Sequence, residues 1–232
     1  MCKKTIGIIG GMGPLATADL FKKIAINTKA ATDQEHVRIL IDNNTDIPDR
    51  TKAIISNGKS PLPQLIKSAM SLWVMGAQLL LMPCNTAHYF LPELQKSVDI
   101  PILSMIEVTG EALQKKGIKK VGLLATEGTV NSGIYQEMFR QKHIETVELF
   151  VSEQNVITDL IYNGVKAGKQ DYDVSAAREV MENFFLRGAE ILVLGCTELP
   201  VAMDIYKLDY NACDPTLELA RAAIKAANGE CI

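Results

Sequence analysis

The sequence lacks any apolar run near the roughly 20 residues that a membrane-spanning helix needs, so no membrane span is expected. It also lacks an excess of charge of one sign, because 24 basic and 27 acidic residues leave a formal net charge of −3. Since phosphate binding needs clustered Lys and Arg, this balance argues against nucleic acid as a partner. Low-complexity stretches and Pro- or Gly-rich linkers are absent as well. The 47% of hydrophobic and 22% of charged residues argue against long disordered segments.

Secretion is not expected either. Two lysines precede the first apolar residues, as in a signal peptide, but Gly7, Gly10 and Gly11 interrupt the apolar stretch too early for an h-region. The cysteines, at positions 2, 84, 196, 213 and 231, are odd in number and form no Cys-x-x-Cys pair. This spacing argues against a disulfide scaffold and a zinc ribbon, and it favours a reducing cytoplasm.

Motifs of several common enzyme classes are missing. The histidines, at 36, 88 and 143, form no His-x-x-x-His pair, and neither a G-x-S-x-G elbow nor a Walker lysine occurs. The glycines after the first apolar run do not have the G-x-G-x-x-G spacing of a dinucleotide-binding loop. No lysine stands in a sequence context that is typical of a Schiff-base lysine. We therefore expect no metal and no cofactor, and a small carboxylate fits the glycine loop better than a nucleotide does.

Short apolar runs alternate with longer segments of helical periodicity along the chain. This alternation predicts an α/β fold in which parallel sheets are flanked by helices on both faces. A chain of 232 residues, 47% of them hydrophobic, is long enough for one or two domains with sizeable cores. The predicted strands are 5–9, 37–41, 78–82, 121–124, 146–151 and 191–194. The predicted helices are 16–29, 61–75, 91–98, 106–116, 134–141, 155–166, 174–187 and 216–227.

The two halves of the chain resemble each other. The run around Gly7 aligns with the run around Gly122 at an offset of 115, and residues 76–86 align with 188–198 at an offset of 112. In each half a strand leads into a loop that carries one cysteine. Because ligands of open α/β sheets bind at the carboxyl ends of the strands, we expect two pseudo-symmetric domains with the active site in the cleft between them.

Cys84 and Cys196 are the candidate reactive groups. Taken singly, either cysteine is better explained as a small buried hydrophobic residue. As a pair at equivalent strand ends they are better explained as functional thiols, because a helix start after each would lower the thiol pKa and bind a carboxylate. The loops at 10–14 and 125–129 are equivalent too, although the first also fits a tight turn and Thr129 also fits a helix cap.

Several charged residues have both a functional and a structural interpretation. Arg50 and Lys166 suit carboxylate binding, but the sequence alone favours solvated surface positions for both. His88 and Glu198 are the nearest titratable groups that follow the cysteines. Either residue would tune a thiol, or it would have only a capping or surface role.

Three motifs in this order resemble the aspartate/glutamate racemase superfamily, and most of all its aspartate racemase branch. They are Gly-Gly-Met-Gly-Pro with Ala-Thr at 10–17, Pro-Cys-Asn-Thr-Ala-His at 83–88 and Gly-Cys-Thr-Glu at 195–198. The resemblance covers nearly the whole chain. It implies domains of 1–101 plus 210–232 and of 102–209, related by a pseudo-twofold axis. It also implies a cofactor-independent amino acid racemase that is a homodimer and acts on a small acidic amino acid.

The same resemblance assigns roles to residues. Cys84 and Cys196 would be the catalytic pair, and Arg50 and Lys166 would select the side-chain carboxylate. Glu198 stands where the glutamate racemase branch has His, which makes glutamate less favoured as a substrate and excludes a histidine-assisted thiol there. The residues expected to bind the substrate are Met12, Arg50, Asn85, Thr86, Thr126, Thr129, Lys166, Thr197 and Glu198.

The reaction that follows is two-base racemisation. One group removes the α-proton and another returns a proton from the opposite face, and a thiol has a pKa close enough to neutral for both tasks. Three alternatives stay open: a glutamate or broad-specificity racemase; a decarboxylase, maleate isomerase or hydantoin racemase on the same scaffold; and a catalytically silent amino acid-binding module. Oxidation of two facing thiols to a disulfide would add a redox switch.

Overall fold

The computed structural model describes residues 3–232, which form two compact units. Unit 1 comprises the chain up to Val108 together with Thr216–Ile232, and unit 2 comprises Thr109–Pro215. Cys2 lies outside the described residues. The C-terminal segment belongs to the first unit, and the boundaries lie a few residues after the expected positions at 101/102 and 209/210.

Both units alternate strands with helices. In chain order the elements are β1 (Ile6–Gly10), α1 (Pro14–Asn27), β2 (Ile39–Asn43), α2 (Arg50–Ile55), α3 (Leu62–Val74), β3 (Leu79–Leu81), α4 (Leu91–Gln95), α5 (Met105–Lys115), β4 (Lys120–Ala125), α6 (Glu127–Ser132), α7 (Ile134–Gln141), β5 (Glu145–Val147), α8 (Val151–Asp159), α9 (Ser175–Leu186), β6 (Ile191–Gly195), α10 (Glu198–Ile205), β7 (Ala212–Cys213) and α11 (Pro215–Ala226). Short 3₁₀ helices cover Asp33–Glu35 and Thr86–Phe90, and a π-helix covers Leu160–Val165. Within residues 3–232, no helix has the length and apolar character needed to cross a membrane.

Unit 1 contains a parallel sheet with the strand order β2-β1-β3, and an apolar cluster packs on each of its faces. Successive side chains of a strand point to opposite faces. Ile6 and Ile8 therefore pack in one cluster with α1 and with Leu219 and Ile224 of α11, whereas Ile9 packs in another cluster with α3. A parallel sheet covered on both faces needs nearly continuous apolar strands, and this requirement explains the apolar runs of the sequence.

Unit 2 contains a parallel sheet with the order β5-β4-β6-β7, and its register repeats that of unit 1. Gly7 pairs with Leu80 and Gly122 pairs with Leu192, at the positions that the sequence repeat aligns. A Cβ atom added at Gly7 would lie 2.6 Å from Leu80 Cδ2, and one at Gly122 would lie 2.6 Å from Phe184 Cδ1. Each glycine thus leaves room for close packing on its sheet. The predicted α/β fold with two similar parallel sheets is confirmed.

The predicted elements differ from the structure mainly in the second half. The strand expected over 146–151 is shorter, because β5 ends at Val147 and α8 begins at Val151. The helix expected over 155–166 is α8 followed by the π-helix. The sequence pattern also missed the strand β7 and the short helices α2, α6 and α10. Elements of two to eight residues are too short to show a clear hydrophobic period.

Candidate active site at the carboxyl ends of two sheets

In both units most of the predicted site residues lie in the loops at the carboxyl ends of parallel strands or in the first turn of the helix that follows, whereas Lys166 follows the π-helix. In unit 1, Ile8 of β1 pairs with Leu81 of β3, so the loops that follow these strands begin side by side. In unit 2, Ala125 at the end of β4 pairs with Gly195 at the end of β6, so Thr126 and Cys196 begin neighbouring loops. Each sheet therefore gathers its own set of predicted residues at one edge.

The structure brings Arg50 and Met12 together. The Arg50 Nη2 atom donates a hydrogen bond to the Met12 carbonyl oxygen at 3.1 Å, and Nη1 donates to the Pro48 carbonyl oxygen at 3.1 Å. The loop that carries Met12 turns at Gly11, where φ is +89° and a Cβ atom would overlap the Asn44 backbone, so only glycine fits. Arg50 is half-buried at this edge, and the interpretation of a solvated surface residue is wrong.

Cys84 lies in an apolar cluster with Met12 and is 6% exposed, and Asn85 and Thr86 beside it are also buried. The segment that follows is the 3₁₀ helix Thr86–Phe90 and not an α-helix. Unit 1 therefore places a buried thiol, an amide and a hydroxyl next to the loop that Arg50 holds.

His88 holds the Cys84 loop through the backbone. Its Nδ1 atom lies 2.8 Å from the Cys84 carbonyl oxygen, and its Nε2 atom accepts a hydrogen bond from the Met105 amide at 3.0 Å. Because Nε2 is an acceptor, the ring proton is on Nδ1 and is donated to Cys84. Burial lowers the pKa of His88 from 6.5 to about 4, although the backbone hydrogen bonds oppose this shift. His88 is therefore neutral at pH 7, with both nitrogens engaged by the backbone, and it supports the loop rather than acting as a base.

In unit 2, Thr126 directly follows β4 and Thr129 lies in the first turn of α6. The Thr126 hydroxyl accepts a hydrogen bond from the Thr129 amide at 3.3 Å, and the two hydroxyl oxygens lie 3.1 Å apart. Thr126 is the N-cap of α6, so the interpretation of Thr129 as the cap is wrong. Both threonines are buried, next to the start of the Cys196 loop.

Cys196, Thr197, Glu198 and Lys166 are in contact. The Cys196 thiol donates a hydrogen bond to Glu198 Oε2 at 3.0 Å, the Thr197 hydroxyl donates to the same oxygen at 3.2 Å, and Lys166 Nζ lies 3.6 Å from Glu198 Oε1. Burial, and then the charge and hydrogen bond of Glu198, raise the pKa of Cys196 well above its ordinary value. The prediction that a helix start lowers this pKa is wrong, because burial and a carboxylate outweigh the start of α10.

Sequence reasoning missed two residues near this set. Gln154 Nε2 donates a hydrogen bond to the Ala125 carbonyl oxygen at 3.0 Å, while its buried Oε1 has no hydrogen-bond partner. Tyr162 presents its ring to Lys166, whose Nζ lies 5.0 Å from the ring centroid. Gln154 precedes the predicted helix start at 155, and the π-helix that carries Tyr162 has no distinct sequence period, so no available signal marked either residue.

Each unit thus presents a thiol, a cation and hydroxyl or amide groups. A cation binds a carboxylate, hydrogen-bond donors stabilise negative charge that develops on it, and a thiol transfers a proton. Among residues 3–232, no group of three or more His, Cys, Asp or Glu side chains is placed to hold a metal ion.

Residues 9–227 match the sequence model of the Asp/Glu/Hydantoin racemase family. The chain belongs to this family. It is 35% identical to the aspartate racemase of Picrophilus torridus, with a TM-score of 0.83 over 99% of this chain and 96% of that structure. It is 25% identical to the broad specificity amino-acid racemase RacX of Bacillus subtilis (strain 168), over 94% of this chain and 96% of RacX. It is 28% identical to the glutamate racemase of Corynebacterium diphtheriae, over 65% of this chain but only 58% of that protein.

Membership of this racemase family confirms the resemblance seen in the three sequence motifs. The protein is an amino acid racemase, an isomerase. The relatives include aspartate, glutamate and broad-specificity racemases. Membership of the family therefore does not specify which amino acid is the substrate.

Proposed function

We propose that this racemase interconverts L- and D-aspartate without a cofactor, with Cys84 and Cys196 as the two acid/base groups. The observation that carries the proposal is that each unit places one cation beside a cysteine loop. Arg50 holds the Met12 loop next to Cys84, and Lys166 pairs with the carboxylate that accepts the hydrogen bond of Cys196. Two cations suit a substrate whose side chain carries a carboxylate. The 35% identity to an aspartate racemase supports the same substrate.

In the proposed reaction, one cysteine thiolate removes the α-hydrogen as a proton and becomes a thiol. The electron pair of the broken C–H bond moves into the α-carboxylate. The other cysteine then donates its thiol proton to the opposite face of the α-carbon and becomes a thiolate, so the two cysteines exchange protonation states. This scheme needs no oxidant and no second substrate.

The negative charge that develops on the α-carboxylate needs hydrogen-bond donors that are already in place. We assign this role to the amide of Asn85 and to the hydroxyls of Thr86, Thr126 and Thr197, with Met12 and Thr129 shaping the loops that carry them. All six are buried, and a buried donor acts more strongly than one in water.

A broad-specificity racemase is the second candidate. RacX matches nearly the whole length of the chain, whereas the glutamate racemase matches only part of its own length. Glu198 in place of the histidine of the glutamate racemase branch also makes glutamate the less favoured substrate.

We further propose that the protein is a cytoplasmic homodimer. The resemblance to the racemase superfamily supports a dimer, and the four cysteines that the structure describes form no disulfide, which fits a reducing compartment. Light scattering of the purified protein measures the mass directly, and a monomer at micromolar concentration would contradict the dimer.

A racemisation assay without added cofactor tests the proposed substrate. L-Aspartate, L-glutamate and several neutral amino acids are incubated with the purified protein, and the D-enantiomers are measured by chiral chromatography. We expect kcat/KM for aspartate to exceed that for any other amino acid by about tenfold or more, which corresponds to about 1.4 kcal/mol. Similar values for many amino acids would favour the broad-specificity enzyme. Thermal stabilisation by amino acids without turnover would favour a binding module.

A further inference from the structure

Glu198 contacts the thiol of Cys196 directly. It is the first residue of α10, two positions after the cysteine, and its side chain is only 12% exposed. One carboxylate oxygen accepts hydrogen bonds from the Cys196 thiol and the Thr197 hydroxyl, and the other lies 3.6 Å from Lys166 Nζ. Both carboxylate oxygens are thus engaged, so the side chain has a defined position.

The direction of the Cys196 hydrogen bond matters for the chemistry. A thiol that donates to a carboxylate keeps its proton, because loss of the proton would place two negative charges about 3 Å apart. Lys166 acts in the opposite sense, since its positive charge lowers the pKa of Cys196. Two residues of opposite charge therefore influence the same buried thiol, which is 7% exposed.

Among the described titratable groups, Tyr135 also interacts electrostatically with Cys196. Tyr135 on α7 is fully buried, and burial raises its pKa far above the ordinary value, so it is neutral at pH 7. Cys213 and Asp214 act on Tyr135.

We propose that Glu198 is a positioning residue that holds the proton on Cys196, so that this cysteine rests as the proton donor, while Lys166 limits how firmly the proton is held. The inference rests on the proposed two-thiol racemisation. The proposed role of Glu198 makes the two catalytic cysteines inequivalent. With one enantiomer as substrate, Cys196 starts as the thiol and donates its proton. With the opposite enantiomer as substrate, Cys196 acts as the base. Because enantiomers have equal free energies, Glu198 does not favour one direction at equilibrium, and kcat/KM stays equal for both.

The pH dependence of Cys196 alkylation tests the proposal without any need for turnover. Full-length variants are treated with iodoacetamide over a range of pH, and the mass of the peptide that contains Cys196 reports its reaction alone. The rate of alkylation plotted against pH has a midpoint at which half of Cys196 is ionised. In Glu198→Gln we expect this midpoint to move to lower pH by about one unit or more, as expected for loss of a neighbouring like charge. In Lys166→Met we expect a smaller shift to higher pH. Glu179→Gln removes an exposed carboxylate on α9 and is the matched control, with no shift expected.

Opposite shifts in the two variants distinguish an electrostatic role from general damage to the fold. Equal midpoints in Glu198→Gln and the unmodified protein would overturn the proposal, and so would shifts of both variants in one direction. If Glu198→Gln does not fold, Glu198→Asp and Lys166→Met decide: Asp keeps the charge and should leave the midpoint near that of the unmodified protein. Opposite shifts in a protein that racemises no amino acid would support the inference and refute the proposed function.

In the active enzyme, the alkaline limb of the kcat/KM profile should move to lower pH in Glu198→Gln, with a rate loss of about tenfold to a hundredfold at neutral pH. A uniform loss of rate with an unchanged profile would indicate a merely structural role and would contradict the proposal.

Discussion

Cys84 and Cys196 follow equivalent strands of two similar sheets, but different contacts hold their loops. At Cys84 the contact is to the backbone: neutral His88 donates to the carbonyl oxygen of the cysteine and accepts from the Met105 amide. At Cys196 the contact is to the sulfur itself, which donates to the carboxylate of Glu198. One loop is supported by an uncharged group, and the other is influenced by a negative charge.

The difference shows that an internal repeat preserves the position of a residue without preserving its electrostatics. Burial is nearly the same for the two cysteines, which are 6% and 7% exposed. The chemistry then depends on which side chain follows the cysteine and how that side chain is oriented. The predictions below test this comparison in order of decreasing effect.

Replacement of either cysteine should have the largest effect. In Cys84→Ala and in Cys196→Ala we expect racemisation to fall by at least about a thousandfold, because each variant lacks one of the two acid/base groups. The measurement is the rate of D-aspartate formation, with circular dichroism as the control for folding. Substantial residual activity in one folded variant would show that only the other cysteine is essential.

Loss of His88 should reduce stability in a pH-dependent way. The folded pKa of about 4 lies below the ordinary 6.5, so the unfolded chain binds more protons between these values and stability falls as the pH is lowered through this window. Between about pH 7 and about pH 4.5 the contribution lost is about 2.5 kcal/mol. Urea unfolding should therefore show that the stability difference between the unmodified protein and His88→Gln shrinks by about that amount.

The same substitution at His36 controls for general effects of pH and of a lost imidazole. A stability difference for His88→Gln that does not change with pH would contradict the assignment of His88 as a neutral, buried support of the Cys84 loop.

Removal of Arg50 or Lys166 should lower activity on aspartate more than activity on neutral amino acids. In Arg50→Met and Lys166→Met we expect kcat/KM for aspartate to fall by about tenfold to a hundredfold, the usual worth of a hydrogen bond to a charged group. Neutral amino acids should be affected less, so assays with aspartate and alanine give the comparison. Equal losses for both substrates would show that these residues do not select the side-chain carboxylate.

The loop after β4 should give the smallest effect. Thr126 caps α6 with its hydroxyl, and loss of an N-cap typically costs about 1 kcal/mol. Thr126→Ala should therefore lower the free energy of unfolding by about that amount, whereas Thr126→Ser should retain it. Equal stabilities of the Ala and Ser variants would show that the cap contributes little.

Much of the fold could be predicted from sequence, because strands buried on both faces form short continuous apolar runs and amphipathic helices have a clear period. The repeat that aligns residues 76–86 with 188–198 also predicted both cysteine loops at strand ends, and the structure pairs those strands with β1 and β4 in the same register. The strand β7 was missed because it has only two residues, and the π-helix because its local period resembles that of an α-helix.

The electrostatics of the candidate site could not be predicted in the same way. The raised pKa of Cys196 depends on burial and on the orientation of the Glu198 carboxylate, and a sequence shows neither. The neutral state of His88 depends likewise on burial and on a bond to Met105, which is distant in sequence. Spacing of residues identifies which groups are available, whereas tertiary contacts decide their protonation.

The reaction in deuterium oxide tests two-thiol racemisation of aspartate most directly. L-Aspartate is incubated with the purified protein, and the deuterium content of both enantiomers is measured by mass spectrometry at low conversion. We predict that D-aspartate forms with deuterium at the α-carbon while the remaining L-aspartate keeps its hydrogen, because removal and return of the proton use different groups. Deuterium entering L-aspartate as fast as D-aspartate forms would indicate a single base, and no D-aspartate at all would refute the proposed activity.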